Sequence, residues 1–295
     1  MCLTTFLDGI RAVTTAQNVP GPLAASRLRQ AGAAVTKIEP PSGDPFVRLS
    51  PAWHAEMHVG IPIANLDLKT AEGQARLAVL LGAADLLLTS QRPSALARLS
   101  LDPDTLRARF PRLRVLRIVG TVRDPEQPGH DLTYQAQAGL LGDSMPRTLA
   151  ADVMTSERAF AGMLALLRLP GGSVMDVGLV ESLDPLMAPL RHGLTAPGGT
   201  LGGGAPRYGV YGTKLGRIAV AALEPHFERE LYRHLELPLD SDPSSCFLER
   251  TAAEWEQWAR EWGLPIVEVR DGVSSPLVPS PQSPVMPNAL PRRPR

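Results

Sequence analysis

Lysine and cysteine are both scarce in this chain of 295 residues: the lysines are Lys37, Lys69 and Lys214, and the cysteines are Cys2 and Cys246. One cysteine lies at the terminus and the other in a Pro/Ser-rich connector, which is no disulfide framework for a protein of this size. A reducing, cytoplasmic setting is expected. A surplus of charge is missing as well, since 30 basic residues balance 30 acidic ones. That removes the long-range field that would draw the whole protein to nucleic acid or an anionic membrane, so neither is expected as a partner. No uncharged apolar run reaches the roughly eighteen residues of a membrane span, and the first residues reach Asp8 and Arg11 without a signal-peptide core. A soluble intracellular protein is predicted.

What is present is 44% hydrophobic residues, enough for one large core or two unequal ones. At about 150 residues per domain, two domains are favoured. Short apolar strands alternate with helical patterns through the first half. Strands are predicted near 12–15, 34–38, 63–68, 85–88, 115–119 and 174–177, with helices at 22–31, 71–81, 103–109 and 156–169. Such alternation predicts an α/β fold, a Rossmann-like doubly wound parallel sheet. Residues 1–192 are assigned to this large domain and 193–206, rich in Gly, Pro and Thr, to a linker. Paired strands at 208–211 and 218–223 and helices at 225–235 and 251–262 predict a second, smaller α+β domain over 207–270. The Pro-rich tail, 271–295, is expected to return to the large domain or to stay disordered.

Three segments carry the residues of most chemical interest: Pro128-Gly129-His130-Asp131, Ala151-Asp152-Val153, and Ala222-Leu223-Glu224-Pro225 directly after an apolar strand. Together they offer two proton-transfer groups and a carboxylate to orient one of them. Each also has a purely structural reading. A loop histidine bonds to backbone, an aspartate just before a helix caps it for about 1 kcal/mol, and a glutamate beside Pro225 offsets a helix dipole. Other signals are weaker. His54-Ala55-Glu56-Met57-His58 lacks the residue order of the zinc-protease helix and an evident third ligand, so no metal site is expected. Gly202-Gly203-Gly204 lacks the Lys-Ser/Thr of a phosphate loop. Trp255, Trp258 and Trp262 share one helical face and read as packing residues.

The flanking residues add specificity. The run from Gly129 through Tyr134 to Gly139-Leu140-Leu141, with Asp152 opening the next helix and Glu224 ending a strand, resembles the class III CoA-transferase family. The likeness is to its alpha-methylacyl-CoA racemase branch. Asp8-Gly9-Ile10-Arg11, Gly21-Pro22, Gly32-Ala33, Lys37-Ile38-Glu39-Pro40-Pro41, Gly43-Asp44-Pro45, Leu66-Asp67-Leu68-Lys69, Ala84-Asp85 and Arg92-Pro93 follow the family's opening order.

The resemblance implies that His130 and Asp152 exchange a proton with the carbon beside an acyl-CoA carbonyl, working from opposite faces. Glu224 would accept the other N–H of the His130 imidazole. Backbone N–H groups at the start of the helix following Asp152 would bind the enolate oxygen. Lys37, Lys69 and Arg92 would bind CoA, which enters as part of the substrate, with no tightly bound cofactor and no metal. An interlocked homodimer is implied. The expected reaction is epimerisation of a 2-methyl-branched acyl-CoA. The alternative is CoA transfer between carboxylic acids through an aspartyl anhydride at Asp152, and a second alternative is an inactive CoA-binding or partner-binding relative. The last is motivated by His58–Ile63, which stands where relatives carry a basic run, and by Met154–Arg158, which replaces their glycines.

Overall fold

The computed structural model describes residues 5–270. The first part runs β1 (Arg11–Thr14), α1 (Pro20–Gln30), β2 (Ala34–Glu39), α2 (Pro51–Met57), β3 (Ile63–Asn65), α3 (Ala71–Gly82), β4 (Leu86–Thr89), α4 (Pro93–Arg98) and α5 (Pro103–Arg109). It continues with β5 (Arg114–Val119), α6 (Asp131–Ala138), α7 (Ala150–Leu166), β6 (Val174–Gly178) and α8 (Leu179–Arg191). Proline starts many of these helices. Pro20, Pro51, Pro93 and Pro103 each take the first helical position, where the missing N–H costs nothing and the fixed φ suits the helix.

The six strands form one parallel sheet in the order β3-β2-β1-β4-β5-β6. Side chains alternate between its faces. Leu86, Leu88, Leu116 and Ile118 meet α1 and α7 on one face, while Leu87, Val115, Val13 and Ile38 meet Leu77, Leu81, Leu96 and Leu106 on the other. With both faces covered, strands such as Leu86-Leu87-Leu88 are apolar without interruption. The fold is the doubly wound α/β arrangement predicted.

The chain divides into two units, one through Ala188 and one from Pro189. In the second, Thr200–Gly204, inside the stretch read as linker, forms a wide π-type turn whose helical backbone breaks at Gly202 and Gly203, the latter at a φ of 93°. The smaller sheet follows, in the antiparallel order β7-β8-β9, from β7 (Tyr208–Gly212), β8 (Arg217–Ala221) and β9 (Ile266–Glu268). It packs with α9 (Pro225–His234), α10 (Ser244–Phe247) and α11 (Ala252–Trp262) around Ile218, Val220, Leu231, Phe247, Trp255 and Ile266. Thr251 and Glu254 form a reciprocal capping box at the start of α11, and Gly263 ends it in the left-handed conformation. Trp255 is buried as expected, whereas Trp262 is half exposed. The tail from 271 lies outside the described residues.

Several boundaries differ from those predicted. Helix α7 begins at Ala150, not near 156, so Asp152 sits inside its first turn rather than ahead of it. Helices α2, α4, α6, α8 and α10 and strand β9 add to the predicted elements. Among the described residues no helix is long and apolar enough to cross a membrane.

Candidate active site

Strand order in the large sheet reverses between β1 and β4, and a reversal of this kind opens a crevice at the carboxyl ends of the strands. A cavity of about 140 Å³ sits there. Gln17 and Asn18 follow β1, Ser90 and Arg92 follow β4, Val119 ends β5 and Gly120 follows it; all of them line the cavity. His130, Tyr134 and Asp152 complete the lining, so α6 and α7 deliver their first turns to the same space as the strand ends.

His130 is the N-cap residue of α6. Its backbone is fixed by Thr133, whose hydroxyl accepts from the His130 N–H at 3.0 Å and donates to the His130 carbonyl at 2.8 Å. The imidazole is exposed. The loop leading to it from β5 is tied down by Glu181, whose carboxylate accepts from the Thr121 hydroxyl at 2.6 Å and the Val122 N–H at 3.1 Å.

Asp152 is 9% exposed. Its backbone N–H donates to Asp131 Oδ1 at 3.0 Å, and the Gln135 amide donates to the other Asp131 oxygen. Burial raises the Asp152 carboxyl from 3.8 to about 7, with the negative charge of Asp131 adding to it. A carboxyl held there is both acid and base near neutral pH. Two of the backbone donors expected to bind an enolate are already engaged. The Asp152 N–H is spent on Asp131, and the Val153 N–H bonds the Leu149 carbonyl at 2.9 Å.

The structure thus brings His130, Asp152 and Arg92 together. Lys37 is a correction. It has no exposed side-chain surface, and its ammonium is held by Asp44 at 2.6 Å, Glu39 at 3.1 Å and His58 Nε2 at 2.9 Å. A cation so enclosed offers nothing to a phosphate. The two histidines of the His54…His58 pair do converge with Glu39, their donor atoms lying within 4.8 Å of one another, although the sequence suggested no third ligand. The cation on that cluster is the Lys37 ammonium. His58 donates through Nδ1 to the His54 carbonyl at 2.6 Å, which leaves Nε2 to accept from Lys37. Burial holds its pKa below the ordinary value, and the charge of Lys37 adds to this.

Lys69 lies elsewhere. It is exposed at the start of α3 and lines a separate groove of about 730 Å³ with Arg98 and Arg109. Glu224 belongs to the second unit, where it is the exposed N-cap residue of α9 and its side chain makes no cap bond. Asp131, Tyr134, Gln17 and Gln127 are site residues to which sequence reasoning assigned no role. Tyr134 lies four residues past His130, one helical turn away, and this spacing was the available signal.

A family model described as CoA-transferase family III matches residues 7–274. The chain belongs to that family. It is 27% identical to a CaiB/baiF CoA-transferase family protein of Caenorhabditis elegans, over 85% of this chain and 82% of that one. It is 29% identical to alpha-methylacyl-CoA racemase of Mus musculus, over 87% of this chain and 70% of that protein. It is also 32% identical to the probable fatty acyl-CoA transferase Rv3272 of Mycobacterium tuberculosis, over 60% and 50%. The crystal structure of Rv3272 superposes with a TM-score of 0.78 over 88% of this chain and 83% of that one, at 24% identity. This last likeness establishes the fold.

Proposed function

We propose that the protein inverts the α-carbon of a 2-methyl-branched acyl-CoA by 1,1-proton transfer, with His130 and Asp152 as the two proton-transfer groups. The observation that carries this reading is a carboxyl at about 7 in the same cavity as an imidazole. One group removes the α-hydrogen, the electron pair moves onto the thioester oxygen, and the other group returns a proton to the opposite face. The reverse reaction exchanges the two roles. Arg92 is the cation at the cavity suited to a CoA phosphate, because a guanidinium presents paired donors. CoA arrives as part of the substrate, and no tightly bound cofactor is proposed. Glu224 is assigned to the other N–H of His130, contributed by the small unit of a second copy in an interlocked homodimer. The scarcity of cysteine supports a cytoplasmic setting.

The second reading is CoA transfer to a carboxylate, with Asp152 attacking the thioester carbonyl to form an anhydride as CoA leaves. It is favoured by the CoA-transferase names among the relatives. The test is incubation with one enantiomer of a 2-methylacyl-CoA in deuterated water. Incorporation of α-deuterium with loss of optical purity, abolished in His130→Ala and Asp152→Ala, is the expected result. No incorporation, with formation of a second acyl-CoA when a carboxylic acid is added, would replace racemisation by transfer.

A further inference from the structure

The thioester oxygen gathers negative charge whether an α-proton leaves or a carboxylate adds to the carbonyl, so either chemistry needs a hydrogen-bond donor aimed at that oxygen. The N–H groups of Asp152 and Val153 are already used. We propose that the Tyr134 hydroxyl is such a donor, a catalytic residue that binds the developing oxyanion; the inference rests on the CoA-thioester reading above.

Tyr134 is 4% exposed and lines the cavity with His130 and Asp152. A buried tyrosine ordinarily spends its O–H on a protein acceptor. Tyr211 and Tyr232 do so, donating to the carbonyls of Pro206 and Ser241. The Tyr134 hydroxyl meets no acceptor among the described residues, and its oxygen is not sealed away from the cavity. The surrounding backbone leaves room for it. A Cβ on Gly120 would lie 2.6 Å from the hydroxyl oxygen, and one on Gly129 would lie 2.5 Å from the ring carbon that carries it. Both glycines belong to the loop between β5 and α6, and both line the same cavity. Two glycines therefore make a slot for the oxygen of the phenol as well as its ring.

The phenol keeps its proton where the other groups work. Burial raises its pKa above 10, Asp152 adds to this and Arg92 opposes it, which also puts both charged groups within electrostatic reach of the ring. The hydroxyl donates without transferring its proton, so proton balance stays with His130 and Asp152.

The test uses the full chain and acetoacetyl-CoA, a thioester analogue whose bound enolate is read by ultraviolet absorbance without turnover. Tyr134→Phe keeps the ring in its slot and removes only the oxygen. The wild type should ionise the bound analogue at a pH at least one unit below Tyr134→Phe, a tenfold difference in enolate fraction. Turnover on any thioester that the wild type uses should fall about 10²–10³-fold in kcat with KM little changed, as for loss of one oxyanion donor. The variant should melt at or above the wild-type temperature, because no protein bond is lost. Equal ionisation in the two proteins, or melting several degrees lower in the variant, overturns the assignment while leaving the CoA-thioester reading intact. A wild type that shows no calorimetric binding of acetoacetyl-CoA overturns both.

Discussion

Replacing Asp152 by asparagine should stabilise the protein, and increasingly so as pH rises. Folding takes this carboxyl from 3.8 to about 7, by burial first and by the charge of Asp131 second. Between those values the native protein holds a proton that the unfolded chain has released. Stability conferred by this group is therefore fully present below 3.8, declines as pH rises through the window, and is gone above about 7. At about 1.36 kcal/mol per pH unit, the loss amounts to about 4 kcal/mol as an upper figure. Asparagine keeps the shape and the backbone N–H that bonds Asp131 and never ionises. The variant and the wild type should match near pH 4 and differ by about 2–4 kcal/mol at pH 8. Scanning calorimetry of both proteins at a series of pH values reads this difference, since every other titrating group is common to the two. A difference that does not change with pH, or an asparagine variant less stable at pH 8, would refute the burial of an ionisable acid at this position. Catalysis should be lost in the same variant, so stability and activity would move in opposite directions.

Lys37→Met leaves the buried carboxylates of Asp44 and Glu39 without their cation, and a loss of about 3–5 kcal/mol is expected in urea unfolding; a loss below about 1 kcal/mol would mean the network is dispensable. Arg92→Ala should weaken CoA binding roughly 10–100-fold by calorimetry, as for a lost charged hydrogen bond, and unchanged affinity would remove Arg92 from the site. Asp131→Asn takes away the second cause of the raised Asp152 pKa but not burial, the larger one. The alkaline limb of the pH–rate profile should move to lower pH while staying well above the range of an ordinary carboxylate, and an unmoved limb would show that Asp131 has no electrostatic part.

The central strands were legible because parallel strands covered on both faces are apolar almost throughout, and Leu86-Leu87-Leu88 announces itself for that reason; Ala34–Ile38 shows the same character less fully, with Thr36 and Lys37 among its apolar residues. The start of α7 was not. Its first turns meet the sheet and α1 through Ala151, Thr155, Ser156 and Ala159, small residues that allow close approach but leave no large apolar stripe to count. Helix α6, Asp-Leu-Thr-Tyr-Gln-Ala-Gln-Ala, is short and mostly polar, so its existence follows from the sites it bonds rather than from periodicity. Within the site, His130, Asp152 and Arg92 could be picked by motif, whereas the role of Asp131 depends on a contact across 21 residues of chain. Lys37 misled for the same reason: a lysine ending an apolar strand reads as a solvent-facing cation until the fold brings Asp44 and His58 around it.

The two reactions differ in which form of Asp152 they need at the moment substrate is bound. A nucleophile must be ionised, so a site built for anhydride formation gains from donors and cations placed on the carboxylate. Here the residue next to His130 is another acid, Asp131, whose charge opposes ionisation of Asp152, and Asp131 is itself fixed by the Asp152 N–H and the Gln135 amide. Substrate entering a cavity of about 140 Å³ displaces water from around the same carboxyl, which adds to the burial that already dominates. Both effects push toward the protonated form. Arg92 lines the same cavity, but a guanidinium engaged with a CoA phosphate has little charge to lend to the carboxylate. This balance, rather than the identity of the aspartate, is what supports the proposed proton transfer, and an Asp152 found ionised with substrate bound would support acyl transfer instead.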